Sequence, residues 1–192
     1  MARPKEFNRE TALACAIRVF AEHGYEGTST EALLQAMRIS RQSMYDTFGD
    51  KRRLFLEALQ RYCFESIGTI AAALRGGGSP LAGIEAALLS FALRAHASSE
   101  SGCLGVNALC EFGRRDREIT AIGDASGAAL QHIFESAIKQ AIVQGEIAAD
   151  VQPQEAALFL NATFIALKVM ARGGADPEAL RSITRTALRS LK

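Results

Sequence analysis

The 192-residue chain holds few residues that carry metal or disulfide chemistry: four cysteines and three histidines. No two cysteines form a CxxC pair, and Cys15, Cys63, Cys103 and Cys110 form no ligand-like cluster with His23, His96 and His132. The spacing argues against a zinc framework and predicts free thiols in a reducing compartment. Long apolar runs are missing too. Nothing approaches the roughly 20 uncharged apolar residues of a membrane span, and the opening MARPKEFNRE is too polar for a secretory leader. A cytoplasmic protein without membrane attachment is expected. Charge of one sign is also lacking, the net value being +1. Residues 1–61 carry ten Lys/Arg against eight Asp/Glu, and the remainder carries twelve against thirteen. So weak an asymmetry identifies no partner, and any nucleic-acid reading must rest on a motif.

Catalytic signatures are absent in the same way. There is no HExxH, no GxSxG and no dinucleotide fingerprint. The glycine-rich run Gly76–Ser79 lacks the Lys-Ser/Thr that a phosphate loop requires, so it stands as a helix stop. No enzymatic activity, cofactor or metal is expected.

Hydrophobic residues, in contrast, make up 48% of the chain, and Ala and Leu recur at helical rather than alternating spacing. The fold class is therefore all-α, with about nine helices. A first helix over residues 8–23 has Leu13, Ile17 and Phe20 on one stripe and is stopped by Gly24. Two short helices follow, over 30–37 and 41–47, and then a long one from Lys51 to about residue 75. Later helices are expected over 80–97, 103–112, 116–144, 153–171 and 177–191, with a loop at residues 97–102. Short helices give way to long ones near residue 50. This suggests a domain boundary there, between residues 1–50 and 51–192.

The two short helices carry the chemistry. Thr30 and Ser40 each offer a hydroxyl to the first turn of a helix. Leu33, Leu34 and Met37 form the inward stripe of the first, Met44 and Phe48 that of the second. Helices this short are marginal alone, but a tight pair braced by its neighbours makes a helix-turn-helix. Such a motif presents its second helix to the major groove at a fixed angle. With about 100° between successive residues, Gln42, Tyr45 and Asp46 lie opposite Met44 and Phe48. Gln42 suits adenine, Arg41 guanine or a phosphate, and Asp46 a cytosine amine. Ser43 and Tyr45 suit phosphate oxygens, and Lys51 adds a charge at a helix N-terminus. Arg3 and Lys5 stand either as a minor-groove arm or as a solvated start.

The run VFAEHGYEGTSTEALLQAMRISRQSMYDTFGDKRRLFLEAL resembles the N-terminal domain of the TetR/AcrR family of transcriptional regulators. The likeness rests on Gly24-Tyr25, Thr28, Thr30, Ile39-Ser40, Ser43-Met44-Tyr45, Phe48, Lys51 and Leu54-Phe55. It implies a DNA-binding regulator, commonly a repressor, with Thr30, Tyr45 and Lys51 on phosphates and Arg41 and Gln42 as base readers. Arg38 occupies a turn position where the family often has glycine, and its side chain can reach a phosphate. Asp46 is a second departure, since an acid facing DNA costs affinity unless it reads a base. The alternative for the whole chain is an all-helical protein-interaction module without specific DNA binding.

In the remaining two thirds, the helix over 153–171 is apolar nearly all round, which places it inside a larger assembly. The last helix sets Leu180, Ile183, Ala187, Leu188 and Leu191 opposite Arg181, Arg185 and Arg189. These two helices are expected to form a four-helix interface in a homodimer, as the resembled family does with its last two. The middle helices would enclose a small apolar or electrophilic effector. Candidates there are Cys103, Cys110, Phe64, Phe91, Phe112 and Phe134. The segment SGCLGVNALCEF resembles a subgroup of the family in which Gly-Cys-Leu and a following Val-Asn begin this helix. Cys103 in a first helical turn stands either as a redox or electrophile sensor or as a small hydrophobe lining a pocket.

Overall fold

A computed structural model describes residues 7–97 and 103–192, with backbone alone over 91–97. Arg3, Lys5 and most of the predicted loop at 97–102 lie outside the described residues. Nine helices are present among the described residues: α1 (Arg9–His23), α2 (Thr30–Met37), α3 (Arg41–Phe48), α4 (Lys51–Gly76), α5 (Pro80–Ala97), α6 (Leu104–Phe112), α7 (Arg117–Val143), α8 (Pro153–Arg172) and α9 (Pro177–Arg189). There is no strand among them. None of these helices is long and apolar enough to cross a membrane.

The chain forms two compact units, Met1–Cys63 with Gly102–Ile122, and Phe64–Ser101 with Gly123–Lys192. The start of α4 and all of α6 thus pack with the three N-terminal helices.

The first unit is built on one apolar cluster. Leu13, Ala16 and Phe20 of α1 meet Leu33 and Met37 of α2, Met44 and Phe48 of α3, and Leu54 and Phe55 of α4. Leu104 and Ala108 of α6 join them. Burial of this cluster, rather than helix propensity, is what allows two eight-residue helices to persist. Caps refine their ends. The Ser40 hydroxyl accepts from the Ser43 amide, as expected for α3. At α2 the cap is Ser29, whose hydroxyl accepts from the Ala32 amide at 3.0 Å, and Thr30 is the first helical residue. Adjacent hydroxyls made the two indistinguishable in sequence. Only Ser29 has the extended backbone that an N-cap needs.

Gly24 ends α1 at φ +73°, and a Cβ there would lie 2.0 Å from a Glu111 carboxylate oxygen. The backbone conformation favours glycine, and a Cβ would also displace the Glu111 carboxylate that meets the chain here. The Thr28 hydroxyl, buried, donates to the Gly24 carbonyl at 2.6 Å and closes the turn into α2.

The second unit is a helical bundle in which α5 packs on both α8 and α9. Its core contains Ile84 and Leu88 of α5, Phe134 and Ile138 of α7, Leu160, Phe164 and Leu167 of α8, and Leu180 and Leu188 of α9. The α5 N-terminus is capped twice, by the Ser79 hydroxyl on the Ala82 amide and by Glu146 accepting from the Leu81 amide. On α8 the apolar circumference divides into two faces. Ala157, Leu160, Phe164 and Leu167 are buried, whereas Leu158, Phe159, Ile165, Val169 and Met170 remain 38–61% exposed. Asp176 stands at the N-cap of α9, but its side chain makes no capping bond.

Candidate nucleic-acid interface

The α3 helix divides as its periodicity requires. Met44 and Phe48 are buried, and Arg41, Gln42, Tyr45 and Asp46 are exposed. The turn that sets its angle passes through Arg38 at φ 55° and ψ 44°, the left-handed region. Arg38 is the one non-glycine residue with positive φ among the described residues. This explains why glycine is the economical choice there, since an L side chain in that region costs roughly 1–2 kcal/mol. The Arg38 side chain is exposed. Its backbone amide donates to the Leu34 and Gln35 carbonyls, closing α2.

The exposed polar groups are not idle. Gln42 Nε2 donates to Asp46 Oδ1 at 2.7 Å. Arg41 pairs with Glu31 of α2. The Ser40 and Ser43 hydroxyls lie 2.9 Å apart and share a hydrogen bond. Thr30 is half-buried at the start of α2, and Tyr45 projects from α3 with 46% of its surface exposed.

Lys51 is the first residue of α4, and its Nζ lies 4.2 Å from the centroid of the Tyr25 ring. A cation held over an aromatic face is positioned without being neutralised. Burial pushes the Tyr25 hydroxyl up, with Glu26 adding to the shift, so the ring stays uncharged beneath the ammonium. The Asp50 carboxylate accepts from the Arg53 amide at 2.8 Å, taking one of the free donors at this helix start. A phosphate arriving here therefore meets Lys51 and only part of the N-terminal amide set.

Behind these groups, α6 fastens α1. Asn107 Nδ2 donates to the Ala21 carbonyl at 2.8 Å, and Glu111 accepts from the Tyr25 amide at 2.8 Å. Those partners are a last-turn carbonyl of α1 and an amide just beyond its end. Arg52 of α4 is bidentate to Asp116 and also reaches Glu118. Hydrogen bonds from Arg52, then from the Ile119 backbone amide, hold the Asp116 carboxyl below the usual carboxylate range. Phe20, Tyr25, Phe55 and Phe112 form a continuous aromatic cluster with ring centroids 5.0–6.5 Å apart. The roles of Asn107, Glu111 and Asp116 had no local signal, because each partner is 64–86 residues away in sequence.

The effector candidates fall as follows. Cys103 is buried and is the N-cap of α6, not part of its first turn, and it makes no capping bond. The Tyr62 hydroxyl donates to its sulfur at 3.2 Å. Cys110 is exposed. Phe112 belongs to the aromatic cluster of the first unit. In the second unit, Phe134 is fully buried against Phe164, and Phe64 is 76% exposed. The Phe91 side chain lies outside the described residues. A cavity of about 830 Å³ in the second unit is lined by other residues, among them Glu85, Glu146, Arg185 and Arg189. Among the described residues no three His, Cys, Asp or Glu side chains converge as metal ligands would.

Known proteins share this arrangement. Residues 12–58 match the bacterial regulatory proteins of the tetR family, and residues 80–187 match the tetracyclin repressor-like C-terminal domain. The chain is 33% identical over 184 residues to the uncharacterized HTH-type transcriptional regulator YezE of Bacillus subtilis (strain 168), covering 94% of each chain. It is 29% identical over 192 residues to the HTH-type transcriptional repressor ComR of Escherichia coli (strain K12), covering 97% of this chain and 90% of that one. A cysteine mutant of the TetR-family transcriptional regulator CifR, solved with a 26-base-pair operator duplex, superposes with a TM-score of 0.83. It is 32% identical, with 99% of this chain and 100% of that one covered. By its two matched domains and its full-length relatives, the chain belongs to the TetR family of bacterial regulatory proteins.

Proposed function

We propose that this protein is a sequence-specific DNA-binding transcriptional regulator, a repressor, that leaves its operator when a small molecule binds or a cysteine is modified. The observation that carries the reading is α3 itself, a helix of two buried and four exposed polar or charged residues held at a fixed angle by α1, α2 and α4. Arg41 and Gln42 would read bases, with Arg38, Tyr45 and Lys51 on phosphates and Thr30, Ser40 and Ser43 along the backbone of the duplex. Likeness to a CifR mutant solved on operator DNA supports this use of the head. No catalytic step is part of the reading, and a protein acting on the chromosome works in the cytoplasm.

The exposed apolar face of α8 supports a homodimer formed through α8 and α9. Leu158, Ile165 and Val169 recur along one stripe, and α9 borders the bundle with Arg181, Arg185 and Arg189 exposed. Two chains would bring two α3 helices to half-sites separated by about one DNA turn or a multiple of it. The expected boundary at residue 50 would then have a functional sense: residues 1–50 read, and residues 51–192 sense and dimerise. Cys103, with its sulfur accepting from the Tyr62 hydroxyl, supports a thiol-responsive site.

The test is fluorescence anisotropy on DNA from upstream of the protein's own gene, reduced and after a mild thiol oxidant, with Cys103→Ser in parallel. Salt-dependent binding, weakened by oxidant in the wild type and unaffected in Cys103→Ser, is expected. Binding indifferent to oxidant would turn the search to small apolar ligands. A failure to bind any duplex selected from a random pool would favour the interaction-module alternative.

A further inference from the structure

Both base-reading candidates on α3 are held by an acid. Arg41 is tied to Glu31, and Gln42 is tied to Asp46 one turn away. The second pair has a chemical consequence. A carboxylate only accepts hydrogen bonds, so the amide of Gln42 must turn its NH₂ toward Asp46. One N–H is consumed at 2.7 Å. The carbonyl oxygen and the other N–H remain, as one acceptor and one donor.

That pair of groups matches the major-groove edge of adenine, which offers the N6 amine as donor and N7 as acceptor. Guanine offers two acceptors, O6 and N7, and would need two donors from the same side chain. An unrestrained glutamine can turn its amide to suit a different edge. Held by Asp46, it cannot do so without giving up a charge-assisted hydrogen bond. Asp46 also places a negative charge on a face meant for a polyanion, which weakens binding to every sequence alike.

We propose that Asp46 is a positioning residue for base recognition: it fixes the Gln42 amide in the orientation that selects adenine, and it gives up general affinity to do so. The proposal rests on the reading of α3 as the recognition helix. It replaces direct contact between Asp46 and cytosine by action through Gln42.

The experiment uses the full-length protein and an operator selected from a random pool, with each half-site position varied through all four bases in competition anisotropy. Wild type, Gln42→Ala, Asp46→Asn and Asp46→Ala are compared after thermal melts confirm that they fold. All three substitutions lie on exposed positions. Wild type is expected to prefer adenine at one position by about 5- to 100-fold, and Gln42→Ala to lose that preference. Asp46→Asn and Asp46→Ala should reduce the preference at the same position by roughly threefold or more. They should also bind the non-preferred duplexes more tightly than wild type. A side chain with a merely structural role would lower all affinities together instead. If Gln42→Ala relaxes the preference and both Asp46 variants keep it, the inference is wrong and the recognition helix stands. Preference lost by the Asp46 variants at a different position, for cytosine, also overturns it. If Gln42→Ala changes nothing at any position, the assignment of α3 itself fails.

Discussion

The exposed faces of α3 and α8 have opposite chemistry. Both helices bury one apolar stripe, Met44 and Phe48 in the first and Leu160, Phe164 and Leu167 in the second. Beyond that stripe α3 offers a guanidinium, an amide, a phenol and a carboxylate, whereas α8 offers leucine, isoleucine, valine and methionine. A polar face loses little by staying in water and gains from a charged partner. An apolar face of that extent favours another apolar surface, at about 25 cal/mol per Å² removed from water. The contrast shows that exposure alone does not identify a partner. The residues left outside, after the core has taken its share, suit α3 to a charged partner such as nucleic acid and α8 to an apolar one, which is the basis of the proposed dimer.

The sharpest way to break the contrast is to give α8 the chemistry of α3. Ile165→Glu places an unpaired carboxylate in the proposed interface, at a cost of about 3–5 kcal/mol if it is buried there. Analytical ultracentrifugation should find the variant monomeric at concentrations where wild type is dimeric, with its operator affinity falling in step. The head can be altered separately. Lys51→Ala should weaken binding to all sequences by about 1–2 kcal/mol and reduce the slope of log K against log salt by about one. Tyr45→Phe should weaken binding with the slope unchanged, because a phenol displaces no counterion.

Smaller effects sharpen the account of how the head is held. Arg38→Gly relieves the left-handed strain and should raise unfolding stability by up to about 1 kcal/mol after the entropy of glycine is counted. Arg38→Ala keeps the strain and removes only the charge, so a thermal melt separates the two contributions. Asp116→Asn tests the Arg52 clasp. The folded-state carboxyl is depressed, so its stabilisation is present above about pH 4 and is lost as pH falls through the lower folded value. The partner guanidinium is 39% exposed, and solvent screening leaves a few tenths of a kcal/mol. Urea unfolding should show a small deficit for Asp116→Asn at neutral pH that shrinks as the pH is lowered through the acid range.

Much of the head could be read in the sequence because its determinants are local. Periodicity placed Met44 and Phe48 inward, and a hydroxyl before a short apolar run marked each helix start. What escaped was of two kinds. Some choices lay between near-equal neighbours, as with Ser29 and Thr30, where backbone angles decide and composition is silent. Cys103 is similar, one residue outside the turn it was expected to occupy. Other features join distant segments, as Asn107 and Glu111 do in capping the end of α1. Periodicity predicts that a helix such as α6 exists, but not which helix end its polar side chains will meet. The resemblance over residues 102–107 includes Asn107 but gives it no role. Its bond to the Ala21 carbonyl supplies one.

The most direct test of the central claim, that a polar reading head and an apolar dimer face act as one device, is the composition of the complex on its selected operator. Native mass spectrometry of the wild type should find an even number of chains per duplex, with little binding to a single half-site. Ile165→Glu should lose the full-operator complex. One chain bound at full affinity to one half-site, indifferent to Ile165→Glu, would contradict the account.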